Sequence, residues 1–514
     1  MGRDVFFITT PIYYPNDVPH IGHAYTSVAA DLIARYHRLR GEEVFHLTGT
    51  DEHGLKLQRA AEAAGLAPQT WVDDMEPKWK EVWARLDIAY DDYLRTTQPR
   101  HERAVARLLR AVHDNGRDDI YLATYEGLYC VSCEAYYTPE DLLPGELCPV
   151  HERPVEHMTE ENYFFRLSAY ADRLLEHYEA NPLAVQPESR RNEVLSLIRG
   201  GLQDFSISRT TFDWGIPLPW DPKHVCYVWF DALTNYITAA GYADDPERFE
   251  RTWPANIHLI GKDILRFHAV YWPAMLMAGG VEPPTQVFAH GFLTVGGKKM
   301  SKTNLTGIHP FQLIDRFGTD SYRYCFMRET RFGEDGNFSW EAMVDRHNAD
   351  LANGLGNLAS RVLAMLASSF DGAVPEATVV GAEADLPAVI EDAGRRLDGH
   401  VLELQLQPAL IAVWDVVGRA NRYLVEQAPW AIAKDPARRD ELGSILYAAA
   451  ETLRVLAILI SPVMPGAAER LWEQLGIAEP LHAQRVPAAL AWGGLAPGTL
   501  TTKGGALFPR LDAD

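Results

Sequence analysis

The sequence predicts an α/β fold in which a parallel sheet is split by an insertion and is followed by a separate helical domain. Three observations lead to this prediction. Strand-like and helical patterns alternate at the start of the chain, strand-like runs return after about residue 210, and the pattern is helical almost throughout from about residue 346. The length of 514 residues is enough for about three domains.

The chain begins with a strand–helix–strand pattern. "DVFFITT" (4–10) is an apolar run typical of a buried strand, residues 24–39 have apolar positions at helical spacing, and Gly41 is a plausible helix terminator. "EVFHLTG" (43–49) is predicted to be the second strand. Ligands collect beyond the carboxyl ends of parallel strands, and both "PNDVPHIGH" and "GTDEHG" follow such ends.

Residues 121–160 are rich in Tyr, Cys, Pro and Glu with little periodicity, which predicts an irregular insertion. Strand-like segments at 224–230, 256–261 and 285–295 indicate that the first sheet resumes after it. We therefore predict six segments: 1–120 and 211–290 as the two halves of the sheet domain, 121–210 as the insertion, 291–345 as a linking region, 346–500 as the helical domain and 501–514 as a tail.

Composition limits the possible locations and partners. The net charge of −22 argues against indiscriminate nucleic-acid binding, although a specific RNA could still dock at a few basic residues. Five cysteines are an odd number, and three of them fall in one short segment, which argues against a secreted disulfide framework. No apolar run reaches the roughly 18 residues of a membrane span. We expect a cytoplasmic protein without a membrane partner.

His20 and His23 surround Gly22 at the predicted start of the first helix. Three residues apart, they could bind a metal on one face, but no nearby cysteine or third histidine completes a set. A plain polar helix start is a second interpretation. The third is phosphate recognition, because a helix N-terminus carries unsatisfied N–H groups and partial positive charge, and glycine lets a nucleotide approach the backbone.

"GGKKMSKT" (296–303) places Lys298, Lys299 and Lys302 on a glycine-led loop. Such a cluster is usually a solvated surface. Its position near the end of the same predicted sheet as His20 and His23 makes a second phosphate-binding element the sharper interpretation.

"CVSC" and "CPVH" in the insertion give a CxxC and a CxxH pair separated by fourteen residues. Two such knuckles close a tetrahedral sphere, so the spacing predicts one structural Zn²⁺ bound by Cys130, Cys133, Cys148 and His151. A degenerate, metal-free remnant is the alternative. Cys226 and Cys325 are expected to be buried apolar residues.

HIGH (20–23) together with KMSKT (299–303) resembles the signature of class I aminoacyl-tRNA synthetases. Longer segments are similar to the methionyl-tRNA synthetase family, namely "TTPIYYPNDVPHIGHAY", "LTGTDEHG", "CYVWFDALTNY", "IGKDILRFHAVYWPAM" and "VEQAPWAIAK". The resemblance implies a Rossmann-like catalytic domain with a zinc-binding insertion and a helical-bundle anticodon-binding domain. It also implies a monomer that binds methionine, ATP with Mg²⁺, and the initiator and elongator methionine tRNAs.

The resemblance also implies site residues, carried over onto matching positions. His20, His23, Lys299 and Lys302 would act in catalysis, and Gly22, Gly261 and Asp263 would join His20, His23 and Lys302 in binding ATP. The methionine pocket would consist of Ile12, Tyr14, Asp51, Trp229, Ala232, Leu233, Tyr236, Ile264 and His268. Asn357, Arg361 and Trp430 would read the anticodon. No general base is expected, because the methionine carboxylate is already a nucleophile.

Each assignment has a structural alternative. Asp51 could cap a helix, Trp229 and Tyr236 could be core aromatic residues, and Asn353, Asn357 and Arg361 could form a solvated helix face. Three other functions also remain open: a related class I synthetase, an enzyme that activates a free amino acid, and an RNA-binding protein on a synthetase scaffold. The short insertion disfavours the synthetases with large editing domains, and the intact HIGH and lysine motifs disfavour the RNA-binding protein.

Overall fold

The computed structural model describes residues 5–131, 135–137, 139–149, 152–295, 298–299 and 309–512. It divides into two compact units. The first contains Met1–Pro19, Val44–Trp83 and Tyr90–His290, and the second contains His20–Glu43, Ala84–Ala89 and Gly291–Asp514.

A six-stranded sheet forms the centre of the first unit. Its strands are β1 (Val5–Tyr13), β2 (Glu43–Thr50), β3 (Asp92–Arg95), β7 (Val185–Gln186), β11 (Ile257–Gly261) and β12 (Val287–His290). The order across the sheet is β3–β2–β1–β11–β12–β7, and β11 pairs in parallel with both β1 and β12. The strands after the insertion therefore rejoin the first sheet, which confirms the predicted parallel-sheet domain.

Burial on both faces explains the apolar runs of these strands. Phe7, Ile8, Leu47, Leu259 and Ile260 are completely buried, as expected where helices cover both faces of a parallel sheet. The helix after β1, α1 (Ile21–Leu39), belongs to the second unit. The other helices up to residue 278 are α2 (Leu55–Ala63), α3 (Pro68–Arg85), α4 (Pro99–His113), α5 (Ala171–Ala180), α6 (Glu188–Arg199), α7 (Val228–Leu233), α8 (Asn235–Ala240), α9 (Pro246–Thr252) and α10 (Trp272–Ala278).

The insertion is a four-stranded antiparallel sheet rather than an irregular segment. Its strands are β4 (Ile120–Cys130), β5 (Ala135–Tyr137), β6 (Glu156–Phe165) and β8 (Phe205–Ser206). The long β4–β6 pair runs from Ile120 opposite Phe165 to Tyr129 opposite Glu156. The prediction of little regular structure was wrong because the pairing joins segments far apart in sequence and leaves both strands partly solvated, which weakens the apolar alternation.

Two predicted strands of the first sheet also differ. The segment 224–230 contributes only the short strand β10 (Val225–Cys226), which pairs with β9 (Ser208–Arg209), before α7 begins at Val228. Short apolar runs do not distinguish a strand from a buried helix. The segment 285–295 is split between β12 in the first unit and β13 (Leu293–Val295) in the second.

The second unit is mainly helical, as predicted. β13 pairs with β14 (Lys298–Lys299) and β15 (Gly336–Phe338). The helices are α11 (Pro310–Phe317), α12 (Thr319–Glu329), α13 (Trp340–Arg346), α14 (Asn357–Phe370), α15 (Leu386–Leu402), α16 (Leu406–Gln427), α17 (Pro429–Ile432), α18 (Arg439–Ile460) and α19 (Pro465–Gln474). By length and composition the stretch Pro436–Ile460 could cross a membrane, but its apolar window is entirely buried, as in a core helix.

The segment His347–Gly356 is a π-helix, where the sequence predicted an ordinary α-helix. Side chains of α16 stabilise its wider turns: Trp414 Nε1 donates to the Asp350 carbonyl at 3.3 Å, and Asn421 Nδ2 donates to the Gly354 carbonyl at 3.2 Å. Both donors lie more than 60 residues away in sequence, so the local periodicity could not predict the π-helix.

Candidate active site

The two histidines of HIGH cap α1. His20 is the N-cap residue, its Nδ1 accepts from Gly22 N at 3.1 Å, and His23 Nδ1 accepts from His20 N at 3.3 Å. The imidazole rings stack with centroids 3.7 Å apart. Since both Nδ1 atoms accept backbone N–H groups, each neutral ring carries its proton on Nε2. The start of α1 thus carries two Nε2–H donors close to the positive end of a helix dipole.

Gly22 has a second role besides the predicted close approach of a nucleotide. A Cβ atom at this position would lie 2.9 Å from His20 Cε1 and 3.0 Å from His20 Nδ1. Any side chain would therefore push the His20 ring away from the helix start. Gly22 is required for the stacked arrangement of the two histidines.

Tyr236 and His268 form a neutral, buried hydrogen-bonded pair in the first unit. The Tyr236 hydroxyl lies 2.8 Å from His268 Nε2, and His268 Nδ1 lies 3.0 Å from the Ile264 carbonyl. The carbonyl can only accept, so Nδ1 carries the proton and Nε2 accepts from the hydroxyl. Burial lowers the pKa of His268 to about 4. The Tyr236–His268 pair is therefore polar but uncharged at neutral pH.

A π-helix, Phe267–Tyr271, places His268. In an α-helix the Ala269 carbonyl would bond to the N–H of residue 273, but that residue is Pro273, which has none. Tyr178 from α5 donates its hydroxyl to this carbonyl at 2.6 Å. Proline and tyrosine together thus account for the irregular turn that carries His268.

Trp229 and Phe267 stack face to face, with centroids 3.8 Å apart and planes 2° apart. Both rings are partly exposed and pack against the main core of the first unit. Ala232 and Leu233 follow on α7 and are buried, and the partly exposed Ile264 precedes His268 by one turn. The Trp229 ring lies beside His268, with centroids 6.3 Å apart, and Trp229, Phe267, Leu233 and Ile264 share the apolar cluster of Tyr236.

Asp51 lies at the carboxyl end of β2, as predicted, and is buried with 4% of its surface exposed. Its backbone N–H donates to the Tyr13 carbonyl at 2.9 Å, which fixes it beside the end of β1 where Ile12 and Tyr14 lie. The N-cap of α2 is Gly54, so Asp51 does not cap that helix. The neighbouring Glu52 is paired with Arg95 at 2.7 Å.

A buried carboxylate stabilises the loop that carries Asp51. Asp231 on α7 accepts from His53 Nδ1 and from His101 Nε2, each at 2.7 Å. Burial alone would raise the pKa of Asp231, but the two imidazoles bring this pKa down to about 2. Burial would likewise lower the pKa of His53, yet Asp231 raises it. The pairing joins the end of β2 to the helix that carries Trp229.

Gly261 ends β11, and the exposed Asp263 follows two residues later. A Cβ atom on Gly261 would lie 2.7 Å from Asp263 Oδ1. Glycine therefore permits the carboxylate to fold back over the end of the strand. This arrangement is compatible with a polar ligand such as a ribose beyond β11.

The lysine motif lies mostly outside the described residues. The backbone of Lys298–Lys299 forms β14, paired with Thr294 and Val295 of β13. The side chain of Lys299, and all of Lys302 and Thr303, lie beyond what the structure describes.

The insertion brings together half of the predicted zinc ligands. Cys130 and Cys148 are buried in one small cluster with Leu128 and Val155. The Cys148 N–H donates to the Arg153 carbonyl at 2.8 Å. Cys133 and His151 are outside the described residues, and in the part that is described no group of three or more metal-binding side chains occurs. Cys226 and Cys325 are buried, as predicted, and burial raises the pKa of both thiols.

Trp430 projects from a sharp turn in the helical unit. α16 ends at Gln427, Ala428 adopts a left-handed conformation with φ of 42°, and α17 begins at Pro429. The Trp430 side chain is 45% exposed, and the Arg361 guanidinium lies 5.1 Å from its ring centroid. Asn357, the first residue of α14, and Asn353 are both exposed. An exposed ring backed by a cation suits stacking of an unpaired base.

Sequence analysis missed Phe267, Asp231 and Tyr178 as supporting residues. Phe267 lies inside "IGKDILRFHAVYWPAM" next to His268 and could have been noticed from that position. Asp231 and Tyr178 act through partners more than 90 residues away in sequence. No local pattern reveals such contacts.

Family models match nearly the whole chain. A model described as "tRNA synthetases class I (M)" matches residues 6–156 and 142–363, and one described as "Anticodon binding domain of methionyl tRNA ligase" matches residues 374–514. Among curated relatives, the methionine–tRNA ligase of Streptomyces coelicolor is 52% identical, covering 99% of this chain and 97% of its own. That of Bacillus subtilis is 45% identical, covering 100% of this chain and 79% of its own.

Solved structures give the same result. Mycobacterium tuberculosis methionyl-tRNA synthetase in complex with methionyl-adenylate is 46% identical and superimposes with a TM-score of 0.94, covering 99% of this chain and 100% of that one. The apo form from the same organism is 43% identical with a TM-score of 0.86, covering 100% of this chain and 99% of that one.

Proposed function

We propose a role for each predicted site residue from the fact that the chain belongs to the class I methionyl-tRNA synthetase family. As a methionine–tRNA ligase, it forms methionyl adenylate from methionine and ATP with release of pyrophosphate. It then transfers the methionyl group to tRNA with release of AMP.

The observation that carries the proposal is the double histidine cap of α1. His20 and His23 present Nε2–H donors, with the helix dipole behind them, to the phosphates of ATP. Attack of the methionine carboxylate on the α-phosphate adds charge to the phosphate oxygens, and donors fixed in advance stabilise that charge. Lys299 and Lys302 would bind the departing pyrophosphate together with Mg²⁺. Gly22, Gly261 and Asp263 would line the nucleotide.

Methionine recognition combines one ion pair with an uncharged pocket. Asp51 would bind the substrate ammonium group, and Ile12 and Tyr14 would flank it. Trp229, Ala232, Leu233 and Ile264 offer apolar contacts, and the neutral Tyr236–His268 pair faces a thioether without imposing a charge. Sulfur has only weak acceptor capacity, so shape and polarisable contacts would select methionine over shorter or branched side chains.

The second step requires tRNA. Trp430, Arg361 and Asn357 would bind the anticodon by stacking and by polar contacts to a base edge.

We propose that both initiator and elongator methionine tRNAs are substrates. We also propose that the enzyme acts as a cytoplasmic monomer with the segment boundaries given above. Methionine-dependent ATP–pyrophosphate exchange tests the first step, and transfer of labelled methionine to tRNA tests the second. Exchange without transfer would favour an enzyme that activates a free amino acid.

The purified protein is expected to contain about one Zn²⁺ per chain after dialysis. The buried Cys130 and Cys148 fit the soft, shielded ligand set of a structural zinc site, and Cys133 and His151 would complete it. When bound, the ion would crosslink the segments 130–133 and 148–151 of the insertion. Elemental analysis measures this, with Cys148→Ser as a variant expected to lose the metal and Cys226→Ser as a control expected to retain it. A metal content near zero in the unmodified chain would contradict the assignment.

A further inference from the structure

We propose that Asp31 and Arg323 are positioning residues for adenylate formation. Their buried ion pair fixes the helix that presents His20 and His23 relative to the helices that follow the lysine motif. The inference rests on the proposed phosphate-binding role of the two histidines.

Asp31 lies in the middle of α1 and is completely buried. Its Oδ2 accepts from Arg323 Nη2 at 2.5 Å and from Arg35 Nε at 2.7 Å, and its Oδ1 accepts from Ala89 N at 2.7 Å. Both carboxylate oxygens are therefore held from different directions. Such a group resists rotation or sliding of the helix that carries it.

Arg323 lies on α12 and is also completely buried. Besides Asp31, its guanidinium donates to the Leu86 and Asp87 carbonyls at 3.0 and 3.2 Å and to the Pro462 and Val463 carbonyls at 3.0 and 2.8 Å. One planar fork thus joins α1, the segment Ala84–Ala89 and the turn after α18. Lysine cannot reproduce this, because its ammonium group is a single point of donation.

The segment that Arg323 holds has a constrained backbone. Asp87 has a φ of 54°, a left-handed conformation that is unfavourable for a residue with a side chain. Arg35 Nη2 donates to the Asp87 carbonyl at 2.7 Å and to its Oδ1 at 3.1 Å. Two arginines from two helices therefore maintain this conformation, and both also bind Asp31.

Helix geometry connects this pair to the histidine cap. Eleven residues separate His20 from Asp31, which is about three turns, so the two lie on the same face of α1 about 16 Å apart. A tilt of α1 about Asp31 would displace the Nε2 donors at its start by about the tilt angle in radians multiplied by this distance. α11 and α12 follow the lysine motif directly in the chain. The pair therefore fixes α1, which carries the histidine cap, to α12, which follows the lysine motif in the chain.

A second buried ion pair in the same unit provides a matched control. Glu451 and Arg454 on α18 are paired at 2.7 Å with side chains 0% and 5% exposed. Glu451 also accepts from the backbone N–H groups of Gly493, Gly494 and Leu495. Its contacts hold a C-terminal loop. Loss of this pair costs stability through the same physics, namely an unpaired buried charge, and within the described residues the hydrogen bonds of both side chains go to residues 489–495 and to each other, not to α1.

The test compares Asp31→Asn, Arg323→Lys and Glu451→Gln in the full-length enzyme, at a temperature where thermal melts show each variant folded. We expect Asp31→Asn and Arg323→Lys to lower the kcat of methionine-dependent ATP–pyrophosphate exchange about tenfold, because small displacements of catalytic groups carry costs of this order or larger. The KM for methionine should stay within about twofold. Glu451→Gln should lower the melting temperature and leave kcat unchanged.

Wild-type kcat in folded Arg323→Lys and Asp31→Asn enzymes would overturn the proposal, and so would an equal loss of kcat in Glu451→Gln. If Asp31→Asn does not fold, the Arg323→Lys result decides. A His23→Ala enzyme with wild-type exchange would instead overturn the histidine role on which the inference rests, whatever the result for Asp31.

Discussion

His23→Ala is expected to lower the kcat of methionine-dependent ATP–pyrophosphate exchange by about 10²- to 10³-fold, the usual cost of removing one fixed donor to developing charge. The variant loses the Nε2–H donor and also the Nδ1 acceptor that bonds to His20 N at 3.3 Å. The His20 ring, stacked on His23 at 3.7 Å, would lose its support as well. His20→Ala is expected to behave similarly.

The affinity for methionine should stay within about twofold in this variant, because the donors are proposed to contact phosphate and not the amino acid. Isothermal titration measures that affinity separately from the exchange rate. His37→Ala is the matched control, since it removes a histidine from the last turn of the same helix, where His37 pairs with Glu42 at 2.7 Å. Normal activation with weakened methionine binding in His23→Ala would overturn the assignment.

Trp430→Ala is expected to lower kcat/KM for tRNA in aminoacylation by about 10- to 100-fold, the range that corresponds to loss of one stacked base. The ring is 45% exposed and stands at a turn fixed by Ala428 and Pro429, so it is preorganised for stacking. ATP–pyrophosphate exchange without tRNA should remain at the wild-type rate. The two assays run on one preparation measure this difference.

Trp430→Phe is the control for this prediction. It keeps an aromatic face above Arg361, whose guanidinium lies 5.1 Å from the tryptophan centroid, and should retain most of the charging activity. An equal loss of exchange and of charging in Trp430→Ala would contradict the proposed separation between anticodon binding and activation.

Local sequence patterns predicted the helices and strands whose formation depends on nearby residues. The α1 prediction holds because its apolar spacing and Gly41, with φ of 87°, are local signals, and the strands around it are buried runs. The insertion sheet and the π-helices could not be predicted, because cross-strand pairing and donors from distant residues such as Tyr178 and Asn421 determine them.

The same division applies to the candidate site. Motifs identified His20, His23 and Asp51, which lie at the ends of a helix or a strand, where ligands of parallel-sheet folds commonly bind. The residues that hold them are invisible to motif analysis. Asp231 supports the loop of Asp51 from a helix 180 residues later, and Arg323 supports α1 from 292 residues later, with Asp31 as its partner. Such contacts follow from the tertiary fold, which places distant segments beside each other.

The most direct measurement of the central claim is ATP–pyrophosphate exchange by the wild-type chain with single amino acids: methionine, leucine, isoleucine, valine and cysteine. The neutral Tyr236–His268 pair and the stacked Trp229–Phe267 rings predict exchange that depends on methionine, with the other four at least about 10²-fold slower in kcat/KM. Equal or faster exchange with any of these four, or none with methionine, would contradict the account.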